Sequence, residues 1–341
     1  MRYYDIKILD PSDASVLKHW TSYDTDESTT NPNAQNIEMD IPKGPMNDPM
    51  GGDAFVRIWG IPLEDISQSA DFTFKNIVIK GGYKKGLPYA NSSQSGLIVK
   101  GMISNSFGNW IGTDMTLDLY ITSGTATGTT NATLGGGGSV SKPKNIIFSC
   151  SKGETFANAL SNTFKTAFPN YSRSINIDSA LVASEEINGH YHSLQELADH
   201  MVNNTKIMKS SDSSYPGVMI WIDQDTVYAS DWTQTDTTSY TQIAFKELIG
   251  QPTYGVPSGY EIQFMCPMRA DLFIGSVVKM PKTLYTTTSS AQSGVLGSSG
   301  TKASSIFKGT FIISHIRFVG NFRSPDGTAW MTVFNAYSST V

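Results

Sequence analysis

The sequence predicts a mainly β protein in which two similar β-barrel-like modules flank a small α+β domain. Three observations lead there. Two distant stretches repeat one structural phrase. Gly96-Leu97-Ile98-Val99-Lys100-Gly101-Met102-Ile103 leads to Gly108-Asn109-Trp110 and then to Met115-Thr116-Leu117; Gly309-Thr310-Phe311-Ile312-Ile313-Ser314-His315-Ile316 leads to Gly320-Asn321-Phe322 and then to Met331-Thr332-Val333. The offset is 213 between Gly96 and Gly309 and 216 between Thr116 and Thr332, so the copies differ by small loop changes. Charged residues are only 16% of the chain and aromatics 11%, which suits an ordered β-rich protein. Finally, 341 residues are too many for one ordinary core. The expected division is a first β-barrel module with an N-terminal arm (1–122), a Gly/Ser/Thr linker (123–144), a small α+β domain (145–235) and a second β-barrel module (236–341).

Taken in order, Tyr4 to Leu9 reads as a short strand, and Ser22 to Asn36 as a polar loop or extended arm with little core of its own. Asn36 to Ile41 and Ala54 to Trp59 alternate apolar and polar residues as half-buried strands do. Pro62 opens one or two helical turns through Ile66, at a position where its missing N–H costs nothing. Thr73 to Lys80 is a strand closed by Gly81-Gly82, a loop containing Leu87-Pro88-Tyr89 follows, and the first hairpin runs from Gly96 to Thr122. The linker holds Gly135-Gly136-Gly137-Gly138, the most flexible composition in the chain.

The middle third changes period. Asn145 to Phe148 reads as a strand; Phe156, Leu160, Phe164 and Ala167 then recur at helical spacing until Pro169 stops the helix. Ser193-Leu194-Gln195-Glu196 predicts a capping box, with Leu194, Leu197, Ala198 and Met201 as the buried face behind it. Val218 to Ile222 and Thr226 to Tyr228 predict a hairpin turning at Asp223-Gln224-Asp225. From Ile243 the β pattern returns: Glu261 to Met265 as a strand, Met268 to Ile274 as a short helix or turn, Val277 to Met280 as a strand, then a Ser/Thr/Gly loop from Leu284 to Lys302 and the second hairpin. Ser22–Asn36, Ser123–Lys144 and Leu284–Lys302 bury too little apolar area to offset their ordering entropy, and neighbouring proteins are expected to order them.

No residue set supports catalysis or a bound metal or cofactor. His190 and His192 form a His-x-His pair with His200 nearby, but acidic neighbours are sparse and no cysteine stands at ligand spacing, so they read as cap and surface histidines. Asp223 and Asp225 lack the glycine and distal glutamate of a calcium loop. Gly135 to Ser139 resembles a phosphate loop only in its glycines, because Pro143 disfavours the helix that must follow. No Gly-x-Ser-x-Gly elbow is present, and no paired carboxylates stand out in a cleft-forming context. Cys150 and Cys266 read as packed thiols in a reducing environment. The two Gly-Asn-aromatic triplets read as corners, Gly and Asn taking positive φ with the aromatic packed beneath. The six tryptophans, at 20, 59, 110, 221, 232 and 330, are scattered as core and interface anchors are. A net charge of −5 without a basic stripe excludes a nucleic-acid-coating surface. Met1 to Asp5 shows no export signal, and no run is long enough to span a membrane.

The chain resembles the baseplate and tail central hub proteins of Mu-like and related contractile-tailed bacteriophages. Val56-Arg57-Ile58-Trp59-Gly60, Gly81-Gly82, Lys85-Gly86-Leu87-Pro88, Gly96-Leu97-Ile98, Gly108-Asn109-Trp110-Ile111-Gly112-Thr113-Asp114 and Thr116-Leu117-Asp118-Leu119 carry the resemblance in the first half. Lys152-Gly153, Ala167-Phe168-Pro169 and Ile243-Ala244-Phe245-Lys246-Glu247-Leu248-Ile249-Gly250-Gln251-Pro252-Thr253 continue it, so that it covers most of 54–340. These are structural motifs and imply no site residues and no cofactor. The resemblance implies a structural virion protein, assembled in the host cytoplasm as a homotrimeric ring whose six like modules adapt a six-fold tail tube to a three-fold central spike. It further implies a channel for DNA and the tape measure protein, with the tail tube or tube-initiator protein, the spike and the baseplate wedge proteins as partners. The alternatives are a distal-tail or tube-initiator protein, which would be a hexamer with one module per chain, and a β-rich carbohydrate-binding or adhesin protein; an enzyme ranks third.

Overall fold

A computed structural model describes residues 1–24, 29–46, 54–84, 91–123, 145–210, 215–254, 261–281 and 309–338. The Leu87-Pro88-Tyr89 loop, the Lys85-Gly86-Leu87-Pro88 motif, the linker beyond Ser123 and the Leu284–Lys302 loop lie outside these residues. The first strands are β1 (Arg2–Leu9), β2 (Val16–Thr21), β3 (Ile37–Lys43) and β4 (Ala54–Trp59). Helix α1 (Leu63–Ser67) precedes β5 (Asn76–Tyr83), β6 (Gly96–Ile111) and β7 (Asp114–Ser123). The middle third holds β8 (Ile146–Cys150), α2 (Phe156–Ala167), β9 (Ser172–Asn176), β10 (Ile187–Tyr191), α3 (Leu194–Met208), β11 (Met219–Asp223) and β12 (Thr226–Ser230). The last third holds β13 (Thr241–Gln242), β14 (Thr253–Tyr254), β15 (Glu261–Pro267), β16 (Val277–Lys279), β17 (Phe311–Asn321) and β18 (Trp330–Ser338). The fold is mainly β with a small α+β insert.

Both repeats belong to one 13-stranded sheet ordered β14-β15-β18-β17-β3-β4-β7-β6-β5-β1-β2, with β16 beside β17 and β13 beside β16. Within it, β4-β7-β6-β5 and β15-β18-β17-β16 share one strand order. The likeness extends to single hydrogen bonds. Each long hairpin carries a one-residue bulge, at Ser104 in β6 and Ser314 in β17. Each bulge serine donates to a carbonyl on the return strand, Ser104 Oγ to Tyr120 O at 3.2 Å and Ser314 Oγ to Asn335 O at 3.1 Å. In each, the residue before the bulge accepts from a residue at positive φ: Phe74 N–H to Ile103 O at 2.7 Å (φ 66°) and Gly275 N–H to Ile313 O at 2.7 Å (φ 91°). A bulge sharpens local twist, so both hairpins are sharpened at the equivalent point.

The structure corrects the register of the repeat. The bulges place Ser104 over Ser314 and Tyr120 over Asn335, offsets of 210 and 215 rather than 213 and 216. A shift of three on the outgoing strand is odd, so it exchanges the faces of every side chain. The Gly-Asn-aromatic triplets are consequently not equivalent, and neither is a corner. Gly108-Asn109-Trp110 sits inside β6, opposite Leu117, Thr116 and Met115. Gly320 and Asn321 end β17, and neither Asn109 nor Asn321 has positive φ. Both glycines serve close approach instead. A Cβ on Gly108 would lie 2.6 Å from Ile66 O in α1, and one on Gly320 would lie 2.6 Å from the Trp330 ring and 2.9 Å from Met39 Cγ.

Other local differences have simple causes. Edge strand β2, which the sequence pattern does not mark, exposes Val16 and Leu17 while burying Trp20, and takes its pairing from β1. The described part of Ser22–Asn36 packs within the chain: Tyr4 N–H donates to Ser22 Oγ, Asn31 Nδ2 to Thr21 O and Arg323 to Ala34 O, while Tyr23 and Ala34 are buried. Met268 to Ile274 forms no helix. The insert packs Phe148, Phe156, Leu160, Phe164, Leu197 and Met201 into a core of its own. Ser193 caps α3 by accepting from Glu196 N–H at 3.2 Å; Glu196 reaches back to His192 N–H at 2.8 Å, one residue earlier than the capping box requires.

Close approach at the two glycines sets a stability test. Gly108→Ala and Gly320→Ala are each expected to cost about 1–3 kcal/mol in chemical denaturation, as overpacking does. Gly327→Ala, where a Cβ meets nothing within 4 Å, should stay within about 0.5 kcal/mol.

Candidate functional site: the junction of the repeats and the insert

The two repeats are joined by β3, which lies between β4 of the first and the far half of β17 of the second. Residues Ile316 to Asn321 pair with Lys43 back to Glu38, and Ile37 to Asp40 pair with Ile58 back to Phe55. Arg317 grips Asp40 with two bonds of 2.6 and 2.5 Å, the fork geometry that makes guanidinium–carboxylate pairs directional. Asn321 Nδ2 donates to Glu38 Oε1 at 3.1 Å. The Arg2 guanidinium donates to the carbonyls of Asn321, Phe322, Ser324 and Asp326, fixing the β17–β18 turn to the first strand of the chain. A second seam is reciprocal and buried: Tyr83 Oη donates to Trp330 O at 3.0 Å, and Trp330 Nε1 to Gly82 O at 2.9 Å. Trp330 itself is fully buried, with Phe322 edge-on to its ring.

The insert docks on this junction through the turn that the sequence marks as Asp223-Gln224-Asp225. Gln224 takes φ 54° in the turn, and the two aspartates face the sheet. Asp223 Oδ1 accepts from Lys43 Nζ of β3 at 2.6 Å, with both side chains at most 15% exposed. Asp225 accepts from Lys100 of β6. Met46 N–H donates to Ile220 O at 2.9 Å. Strand β11 is buried on both faces. Ile220 and Ile222 enter the insert's core, while Met219 and Trp221 join the core of the large sheet. Trp221 stacks on Tyr228 at 5.1 Å and meets Trp232 at 5.3 Å. Between insert and sheet lies a cavity of about 220 Å³ lined by Lys43, Trp221, Asp223, Tyr228, Leu272 and Phe318, among others.

A third contact crosses the repeats at Arg269, which is 3% exposed as a side chain. It holds Asp271 with two bonds of 2.7 and 2.6 Å and lies 3.6 Å from Glu247, which also accepts from Gln94 at 2.7 Å. Sequence reasoning paired none of these residues with one another. Lys43 and Asp223 are 180 positions apart, and no local pattern signals a pair at that distance.

The remaining residues singled out by sequence do not converge. The His190 and His192 rings lie 6.0 Å apart, and His200 packs on Tyr191 at 5.2 Å with its pKa lowered by burial. Among the described residues no three His, Cys, Asp or Glu side chains gather as metal ligands would. Gly135 to Ser139 lie outside the described residues. Cys150 and Cys266 are buried free thiols. Burial raises both, Cys266 to about 12, the opposite of what a thiolate nucleophile requires. No helix among the described residues is long and apolar enough to cross a membrane.

Two outcomes follow from this geometry. Asp223→Ala strands the Lys43 ammonium and should cost about 3 kcal/mol, as breaking a buried pair does, with Lys43→Met/Asp223→Leu recovering most of it. Cys266, neutral at pH 8, should show no fast reaction with a thiol-disulfide reagent in the native protein and full reaction once unfolded.

No protein-family model matches the chain, and no curated protein matches it in sequence. Solved structures do share its fold. The tail protein from Neisseria meningitidis MC58 aligns over 98% of this chain and 97% of its own, at 6% identity and a TM-score of 0.51. The 43 kDa tail protein of prophage MuSo2 from Shewanella oneidensis aligns over 99% and 97%, at 6% identity and a TM-score of 0.50.

Proposed function

We propose that this chain is a structural protein of a phage tail baseplate, a central hub whose residues 1–122 and 236–341 supply two like modules around the 145–235 insert. The observation that carries the reading is the duplication itself, repeated in strand order, bulge serine and bulge-flanking hydrogen bond. Three such chains in a closed ring present six similar modules, which is the simplest way for a three-fold object to meet a six-fold one. The fold shared with two tail proteins supports the same class. In this reading the ring encloses the path of DNA and tape measure protein, with the tail tube or its initiator on one side and the spike on the other. Its place is the virion tail, after assembly in the host cytoplasm, and wedge proteins bind its outside. The role is mechanical: no catalytic, cofactor or metal residues are assigned.

The test is the native mass of the assembled particle against the 37.1 kDa chain. Three copies per ring are expected. Six copies would favour a tube initiator, and a monomer persisting at high concentration would remove both readings.

A further inference from the structure

We infer that the ring is closed by a second strand junction of the β3–β17 kind, made between copies: the outer edge of β6 from Ser106 to Ile111 takes β14 of the next chain. The inference rests on the ring proposed above and adds the surfaces that close it.

The argument is one of unfilled equivalents. In the second repeat β14 stands beside β15 as β3 stands beside β4: Thr253 opposite Gln263 corresponds to Asp40 opposite Phe55, given the matched hairpin registers. The far half of β17, Ile316 to Asn321, corresponds through the bulge serines to Ser106 to Ile111 of β6. Inside the chain, β3 fills the edge of the far half of β17. The equivalent edge of β6 carries no strand among the described residues, since β5 pairs with it only as far as Met102. The outer side of β14, the end of the strand path, carries none either. One junction is thus complete within each chain, and among the described residues its two halves recur without a partner strand, one in each repeat, although Ile66 of α1 packs on Gly108 and Ser106 Oγ donates to Ser69 O. Complementary halves on one chain make a heterologous contact, which closes into a ring when the rotation allows.

Chemistry at the edge agrees. Phe107, Trp110 and Ile111 are 52%, 62% and 76% exposed. Three large apolar side chains in five residues on an unpaired edge are a pairing surface that an isolated protein would normally blunt with charge. The internal junction gives the register: Ile41 faces Phe318 and Asp40 faces Val319, so Tyr254 should face Gly108, Thr253 face Asn109 and Gln251 face Ile111. Pro252 then stands opposite Trp110. A proline is already accommodated in the internal junction, where Pro42 faces Arg317.

The test uses the full chain carrying Ile111→Cys and Gln251→Cys, both at exposed positions, treated with a short bismaleimide. Covalent products of two and three chains are expected from the double variant and none from either single variant. Trp110→Asp, a change at an exposed side chain, should leave the melting of dilute protein unchanged while weakening association about ten-fold or more, as loss of an aromatic anchor does. A ring of native mass that yields no interchain product and assembles normally with Trp110→Asp would overturn this junction and leave the hub reading standing. Wild-type protein that stays monomeric when concentrated would overturn both.

Discussion

The ladder between β3 and β17 joins segments 277 positions apart at the Asp40–Arg317 pair, and the rest of the architecture depends on it. Without β3 the two repeats would each end in an open edge, and edges are liabilities in water. With it they become one sheet, and the order of elements around them is constrained. Arg2 is drawn to the β17–β18 turn, Tyr83 and Trp330 exchange hydrogen bonds across the seam, and Lys43 is left at the rim of the junction to receive the insert. Backbone ladders supply cohesion here, while the buried side-chain pairs select one relative placement of the halves, because an unmade bond at a buried donor costs more than the made bond contributes.

The insert is held by the same logic. Its core is separate, so it brings its own hydrophobic stabilisation. Its attachment needs orientation more than additional burial. Strand β11 provides both by dividing its alternate residues between two cores, and the aspartates of the adjoining turn fasten on lysines from β3 and β6. Among the described residues no three His, Cys, Asp or Glu side chains gather as metal ligands.

Where the sequence was misread, the errors share a cause. Gly-Asn-aromatic reads as a turn signal because glycine and asparagine favour positive φ. In the fold each glycine makes room for a neighbour, Ile66 in one case and the Trp330 ring in the other. Aligning the copies on those triplets imposed an offset of 213 on strands whose true offset is 210. Nothing local distinguishes a glycine that permits a turn from one that permits contact. Ser104 and Ser314 define the register, but a serine in a strand carries no mark of a bulge until its partner strand is in place.

The sequence by itself determined the period of each segment, and therefore the mainly β class, the helices of the insert, the cap at Ser193 and the existence of a duplicated hairpin. These are properties of alternation and capping that reach only a few residues along the chain. Tertiary structure alone decided which edges meet. Strand β9 pairs in parallel with β12 although its side chains are mostly exposed, and β3 lies against β17 although nothing near either one names the other. Pairing partners are chosen by shape, burial and hydrogen bonding between surfaces that exist only after the strands have formed. A single sequence holds no local record of that choice.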